Sequence, residues 1–527
     1  MKHYFTPLDA IVLVAYLIAT TLLGMWLGRK QRNARDYFVA DRTIPWWAIL
    51  FSVVATETSA LTFISIPALA YIGDFTFLQI AAGYLLGRIV LSFTLLPRYY
   101  QGDLVTAYAL LEQRFGLSTR RFASITFMVT RAFADSVRIF ATALPIAFIV
   151  APTVPAADVM PVSILLLGVF TIIYTYHGGM RAVVWTDVVQ TCVYLFGGLA
   201  AVWLIGHGVP GGWSHIIASG RHADKLRIFD LSLGFDRPQT LLAGLLGGAF
   251  LSMASHGADQ LIVQRLLAAP SLRDARRALI GSGVAVILQF ALFLLIGLGL
   301  WSFYHAQTFQ TPDTIFPKFI VEVMPPGLTG LVVAAIVAAA MSTVSGSLNS
   351  LSAATTHDIY LPLTKRSADD PGLLRVGKLF TLVWAVVLIG GALLYKAQGT
   401  PVVIVALAIA SFTYGGLLGG FFLGMLWKRA QQRDAITGMA IGITAMAIVV
   451  FAKQIMALVP GLGGVLGPVS HVAWPWYVLI GTIITMAAGI LSSFTHAAAA
   501  APPDAFAYEP DRRWSGRGRV EDPRPHR

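Results

Sequence analysis

The sequence predicts an all-α polytopic membrane protein, and three observations carry that reading. Hydrophobic residues fill 56% of the 527 positions and charged residues only 12%, about half the charged share of a soluble protein. Mean hydropathy is +0.71, so the polar residues needed to coat several water-soluble domains are missing. The apolar residues also gather in runs of about 20, the length that crosses a bilayer as a helix.

The net charge of +12 and the pI near 9.8 do not redirect this reading. Lys and Arg fall in short clusters between apolar runs, as orientation signals do, rather than on one folded face. Nucleic acid is therefore not an expected partner. The single cysteine, Cys192, excludes an internal disulfide and a cysteine metal cluster. Its apolar surroundings predict a packing role.

Windows of about 19 residues mark thirteen segments, near 8–28, 45–72, 75–98, 122–150, 160–178, 183–207, 239–264, 277–304, 327–352, 376–395, 402–426, 436–458 and 474–496. The first is a full span rather than a short signal-peptide core. The basic group Arg29, Lys30, Arg32 and Arg35 follows it, which puts the N-terminus outside and the first loop inside. Alternation from there gathers most Lys and Arg on the inside and leaves the C-terminus inside. The tail, 497–527, is rich in Ala and Pro, then in Arg (Arg512, Arg513, Arg517, Arg519, Arg524). It has no apolar periodicity and is expected to be disordered beside anionic lipid. No P-loop pattern and no appended soluble domain is present, which argues against transport driven by ATP.

Segments 2 and 7 are interrupted. The second holds Pro45, the polar run Thr56-Glu57-Thr58-Ser59 and Pro67; the seventh holds Gly244, Gly247, Gly248, Ser252, Ser255-His256-Gly257 and Asp259-Gln260. Interrupted segments five apart suggest paired broken helices of an inverted repeat, with a binding site between them. Two kinked helices of another polytopic fold give the same pattern.

Polar residues inside the apolar segments supply the candidate sites. In segment 9, Ala339, Ser342, Thr343 and Gly346 share one helical face; such a face suits an alkali cation or simply close helix packing. Asp187 opens segment 6, where a helix dipole stabilises a carboxylate. Glu57 is costly at mid-membrane; it raises cation affinity, carries a proton, or is satisfied by free N–H groups at the helix break. Arg131, Asp135 and Arg138 share a face in segment 4. Two arginines against one aspartate form an internal ion pair, or leave surplus charge for a substrate carboxylate. Arg88 in segment 3 is a further cavity candidate.

Four stretches, in order, resemble the sodium:solute symporter family: Asp36-Tyr-Phe-Val-Ala-Asp-Arg42 with Ile44-Pro-Trp-Trp47; Gly178-Gly-Met-Arg-Ala-Val-Val-Trp-Thr-Asp187 with Gln190; Gly257-Ala-Asp-Gln260 with Gln264-Arg265; and Ala338-Ala-Ala-Met-Ser-Thr343. The resemblance implies a leucine-transporter-type fold: two five-helix inverted repeats in 45–207 and 239–426, preceded by a first helix and loop in 1–44 and followed by two peripheral helices in 436–496. It implies a shared sodium site on Ala55, Thr58, Ala339, Ser342 and Thr343, with the first three giving mainly backbone carbonyls. It also gives Asp187 a part in a second ion site or exit path, with Ser345 assisting; Gly346 lacks the hydroxyl some relatives carry there. Thr62, Phe63, Ser252, Ser255 and His256 fall at substrate-cavity or inner-gate positions. At Ser252, Ser255 and His256 the asparagine and aromatic residues of sugar-transporting relatives are absent, which argues against a sugar.

The expected function is sodium-coupled symport of a small organic solute, such as a carboxylate, by alternating access in a cytoplasmic (inner) membrane. Sodium is the coupling ion; no organic cofactor and no obligate protein partner are expected, and the bilayer is the surroundings. Proton coupling through Glu57 or Asp187, uncoupled facilitation, a transporter-like sensor and an embedded enzyme are the competing readings.

Overall fold

The computed structural model describes residues 5–28, 31, 33–58, 60–101, 104–150, 154–310, 312–367, 370–395 and 402–497. The tail beyond residue 497, expected to be disordered, lies outside them. Helices alone make up the regular structure of the described residues.

α1 (Pro7–Leu27) starts at a capping box in which Thr6 and Asp9 satisfy each other's backbone N–H groups, with Pro at the first turn. α2 (Trp46–Glu57) begins after Pro45 and stops at Thr58, whose backbone is extended (φ −84°, ψ 93°). α3 (Ala60–Ile72) resumes the apolar run, so the second predicted segment is a broken helix. The buried ammonium of Lys225, in the 223–240 connection, donates to the carbonyls of Tyr71 (2.8 Å) and Gly73 (3.0 Å) at the end of α3. Burial lowers the pKa of that amine.

α4 (Leu78–Phe93) packs backbone to backbone against the stretch around Gly244 and Ala249. A Cβ on Gly83 would lie 2.1 Å from the Gly244 carbonyl oxygen, so only glycine permits the approach. α5 (Leu117–Val150) carries the Arg131-Asp135-Arg138 face. α6 (Val159–Gly208) runs 50 residues, about twice what spans a bilayer. Sequence analysis expects two segments and a short loop here. The chain instead continues as helix through one kink at Gly179 (φ 53°, ψ −154°), a conformation open to glycine. Asp187 therefore does not sit at a helix N-terminus; it lies two turns past the kink and is fully buried. Cys192, expected in packing, is exposed on this helix.

α7 (Gly248–Gly257) and α8 (Gln260–Leu267) are the two parts of the other interrupted segment. Asp259 separates them and caps α8 by accepting from the Leu261 amide at 2.8 Å. α9 (Leu272–Phe303) follows, then α10 (Leu328–Ala354), in which every residue from Val332 to Ala354 is buried. α10 is the central pillar, touching α1, α5, α6 and α11 (Leu373–Leu394). α12 (Val402–Leu426), α13 (Gln432–Val450) and α14 (Trp476–Ser493) pack on one another at one side.

Among the described residues, seven helices are long and apolar enough on their own to cross a membrane, eight if the bent pair Ala34–Arg42 and Trp46–Glu57 forms one span. The expected thirteen are not reached by length and composition alone, because several predicted segments are broken or short helices.

Candidate functional site: a one-ion cavity beside a broken helix

The break after α2 faces the hydroxyl-bearing middle of α10. Between them lies a cavity of about 10 Å³ lined by Val54, Ala55, Thr58, Gln190, Thr191, Tyr194, Gln289 and Ala339, room for about one water-sized body. Three of the five residues expected to hold sodium, Ala55, Thr58 and Ala339, line it. Thr343 sits one turn beyond Ala339 and donates to its carbonyl oxygen at 3.3 Å. Ser342, on the adjoining face, donates to Asp187 at 2.6 Å.

Sequence analysis missed Gln289 and Tyr194. Gln289 Nε2 donates to Thr58 Oγ1 (2.5 Å) and to the Tyr194 hydroxyl (2.7 Å). Among the described residues its Oε1 is buried without a hydrogen-bond partner, an acceptor left open where an ion would need one. Lone glutamines in apolar segments were the available signal, since buried amides in membrane helices need partners.

Asp187 accepts from Ser52 Oγ (2.5 Å), Ser342 Oγ (2.6 Å) and Arg265 Nη2 (3.3 Å). Arg265 is itself fully buried and also donates to Ser52 Oγ and the Leu261 carbonyl. The carboxylate is thus neutralised by a tethered cation. A Cβ on Gly346 would lie 2.5 Å from Arg265 Nη2, which accounts for the missing hydroxyl at that position. Ser345 turns back to the Ser342 carbonyl at 3.0 Å rather than toward Asp187.

Among the described residues, no N–H group at the helix break donates to Glu57. It is ion-paired with Arg88, which also donates to Ser282 at 2.8 Å. Arg88 is consequently not a free cavity cation. His256 Nε2 approaches Glu57 at 3.7 Å, while its Nδ1 meets Ser255 Oγ at 2.8 Å. Ser252 Oγ is buried without a partner among the described residues. Thr62 is partly buried on α3. Phe63 is fully buried in a ring cluster with Tyr194, Phe293 and Phe316, centroids 5.0–5.2 Å apart.

The arginine face of α5 carries no surplus charge. Arg131 pairs with Asp259 as well as Asp135, and Arg138 contacts Asp135 at 3.5 Å. Two arginines meet two aspartates because Asp259, 128 residues away in sequence, folds onto this face. Arg131 is committed and buried; the Arg138 side chain keeps 20% exposure.

A water-sized cavity between a helix break and a buried hydroxyl-bearing helix is an arrangement that suits a cation-coupled transporter. The chain belongs to the sodium:solute symporter family, which it matches over residues 37–442. It is 32% identical over 471 residues to a sodium/sialic acid symporter of Aliivibrio fischeri, covering 88% of this chain and 91% of that one. Identity is also 32% over 453 residues with a sodium/sialic acid symporter of Proteus mirabilis (84% and 90% covered). A sodium-coupled monocarboxylate transporter of Xenopus laevis is 27% identical (86% and 74% covered). The fold matches a substrate-bound, outward-open sodium-coupled sialic acid symporter with TM-score 0.82 and 30% identity over 94% of this chain and 100% of that one. The protein is an integral, multi-pass membrane symporter that uses sodium to move a small organic solute.

Proposed function

We propose that sodium binds in the cavity between α2 and α10, held by backbone carbonyls of Ala55, Thr58 and Ala339 and by the hydroxyls of Ser342 and Thr343. The observation that carries this is the one-ion cavity lined by Ala55, Thr58 and Ala339 beside the open Gln289 Oε1. Asp187 supports the site through Ser342: a hydroxyl that donates its proton to a carboxylate turns its lone pairs toward a cation. A second ion on Asp187 requires the Arg265 guanidinium to withdraw, which makes this pair part of the ion exit path. Glu57, ion-paired with Arg88, adjoins Thr58 in the chain, and Ser345 bears on the site through the Ser342 carbonyl.

The substrate is a carboxylate of the acidic-sugar class, received by Arg138, which reverses the sequence expectation against a sugar. Two relatives named as sodium/sialic acid symporters support this class. Arg138 is the least committed arginine of the Arg88, Arg131 and Arg138 set, with one 3.5 Å contact to an Asp135 already shared with Arg131 and Ser347. Thr62, Ser252, Ser255 and His256 complete the cavity, with Phe63 as its packed floor. Helix breaks at Thr58 and Asp259, near the start of 45–207 and 239–426, support two inverted repeats, and the Lys and Arg bias supports a thirteen-span topology with the N-terminus outside and the C-terminus inside. This chemistry is binding and translocation rather than catalysis. Each inward sodium supplies about 2.3 kcal/mol per 100 mV, enough to accumulate a neutral solute roughly 50-fold. A monoanion carried with one sodium gains no electrical drive.

The test is thermal unfolding of the purified protein with sialic acid, monocarboxylates, amino acids and neutral sugars, each with and without sodium. Sialic acid is expected to raise Tm only when sodium is present. Equal stabilisation without sodium, or by neutral sugars alone, contradicts the proposal.

A further inference from the structure

Arg131 lies in the middle of a buried network that ties three separate parts of the chain to α5. Its guanidinium donates to Asp259 at the α7–α8 break, and to the Tyr414 hydroxyl of α12 at 2.8 Å. Tyr414 donates in turn to the same Asp259 oxygen at 2.7 Å. Asp135, one turn along α5, accepts from Ser347 of α10 at 2.5 Å and contacts both arginines. Asp135, Asp259 and Ser347 are at most 1% exposed.

The attachments differ in kind. α5 and α10 are fastened twice. Besides the Asp135–Ser347 bond, Ser124 and Arg120 of α5 reach Asp358 just beyond α10, at 2.9 and 2.7 Å. Those two helices form an antiparallel strut. Asp259, in contrast, stands at a helix break and caps α8; among the described residues its carboxylate reaches α5 through Arg131, while α8 meets α10 separately where Gln264 Nε2 donates to Asn349 Oδ1 at 2.7 Å. A small rotation at the break re-aims its carboxylate. A buried pair is near break-even against its hydrated partners because desolvation offsets the Coulomb attraction. Such a link holds while dry and releases when water enters.

We propose that Arg131, Asp259 and Tyr414 form a releasable latch that holds the α7–α8 segment against the α5–α10 strut in the closed state, and that Arg131 serves coupling rather than substrate binding. They act as positioning residues, and the inference rests on the symporter reading above.

The test compares Asp259→Asn and Tyr414→Phe with wild type in proteoliposomes, reading sodium-driven accumulation separately from solute exchange at equal sodium. Accessibility of a cysteine placed at Ser255 in a Cys192→Ser background, probed from the cytoplasmic face, is read in parallel. The expected result is that Asp259→Asn lowers accumulation at least tenfold while exchange rate and exchange KM stay within about threefold, and labelling rises several-fold. Tyr414→Phe shifts all three readouts in the same direction but less, and it serves if Asp259→Asn fails to fold. Arg131→Lys, which keeps the charge, retains part of the coupling. The inference is overturned if accumulation and exchange fall together in both variants, or if exchange KM rises with labelling unchanged. Wild-type transport that ignores sodium instead overturns the symporter reading and leaves the labelling result to judge the latch.

Discussion

Three arginines inside the membrane, Arg88, Arg131 and Arg138, look alike in the sequence and differ in the fold. Arg88 is spent on Glu57 and Ser282, Arg131 on Asp259 and Tyr414, and Arg138 holds one long contact. Replacing Arg138 by Ala is expected to raise the KM for an acidic substrate about 10- to 100-fold, the worth of one charge-assisted hydrogen bond, with little change in Tm. Arg88→Ala leaves the half-buried Glu57 with only His256 Nε2 nearby, at 3.7 Å, and is expected to lower Tm. Uptake kinetics beside thermal unfolding separates the two outcomes. Spacing along α5 gave the shared face of Arg131, Asp135 and Arg138 correctly. It had no means of supplying Asp259, because a partner 128 residues away is set by tertiary packing.

At the scale of elements, the two helix breaks were legible because each is written in local chemistry: the polar Thr56-Glu57-Thr58 run ending α2 and the Gly257-Ala-Asp259 turn before α8. The kink in α6 was not. Two hydrophobic runs separated by Gly178-Gly179 read as two helices and a loop, whereas one left-handed glycine bends a continuous helix. The far wall of the cavity was also missed, since neither Gln289, a lone amide in an otherwise apolar segment, nor Tyr194, one turn past Gln190, falls in any of the four motifs. That wall carries its own expectation. Gln289→Leu removes the open Oε1 and the bond to Thr58, and should raise the sodium concentration for half-maximal uptake several-fold, with substrate KM at saturating sodium unchanged. An unaltered sodium requirement would mean the cavity is packing space.

For the whole molecule, hydropathy and the four motifs carried most of the architecture, and the position of α10 follows from its composition. Small and hydroxyl residues from Val332 to Ala354 let α1, α5, α6 and α11 close around it. Orientation has its own test, because the sole native cysteine is Cys192. In a Cys192→Ser background, a cysteine at exposed Ser214, in the helix Gly212–His222 between α6 and α7, is expected to react with an impermeant maleimide from outside intact cells. One at exposed Arg433, in the first turn of α13, is expected to react only after the membrane is opened. The reverse pattern inverts the topology.

The central claim is that hydroxyls of α10 and loosened backbone at the end of α2 together replace the hydration shell of a sodium ion. The most direct measurement is sodium-driven solute accumulation by Ser342→Ala/Thr343→Ala protein in proteoliposomes, with sodium titrated on one side. The predicted result is at least a tenfold rise in the sodium needed and an accumulation ratio falling toward one. Unchanged accumulation with an unchanged sodium requirement would contradict the account.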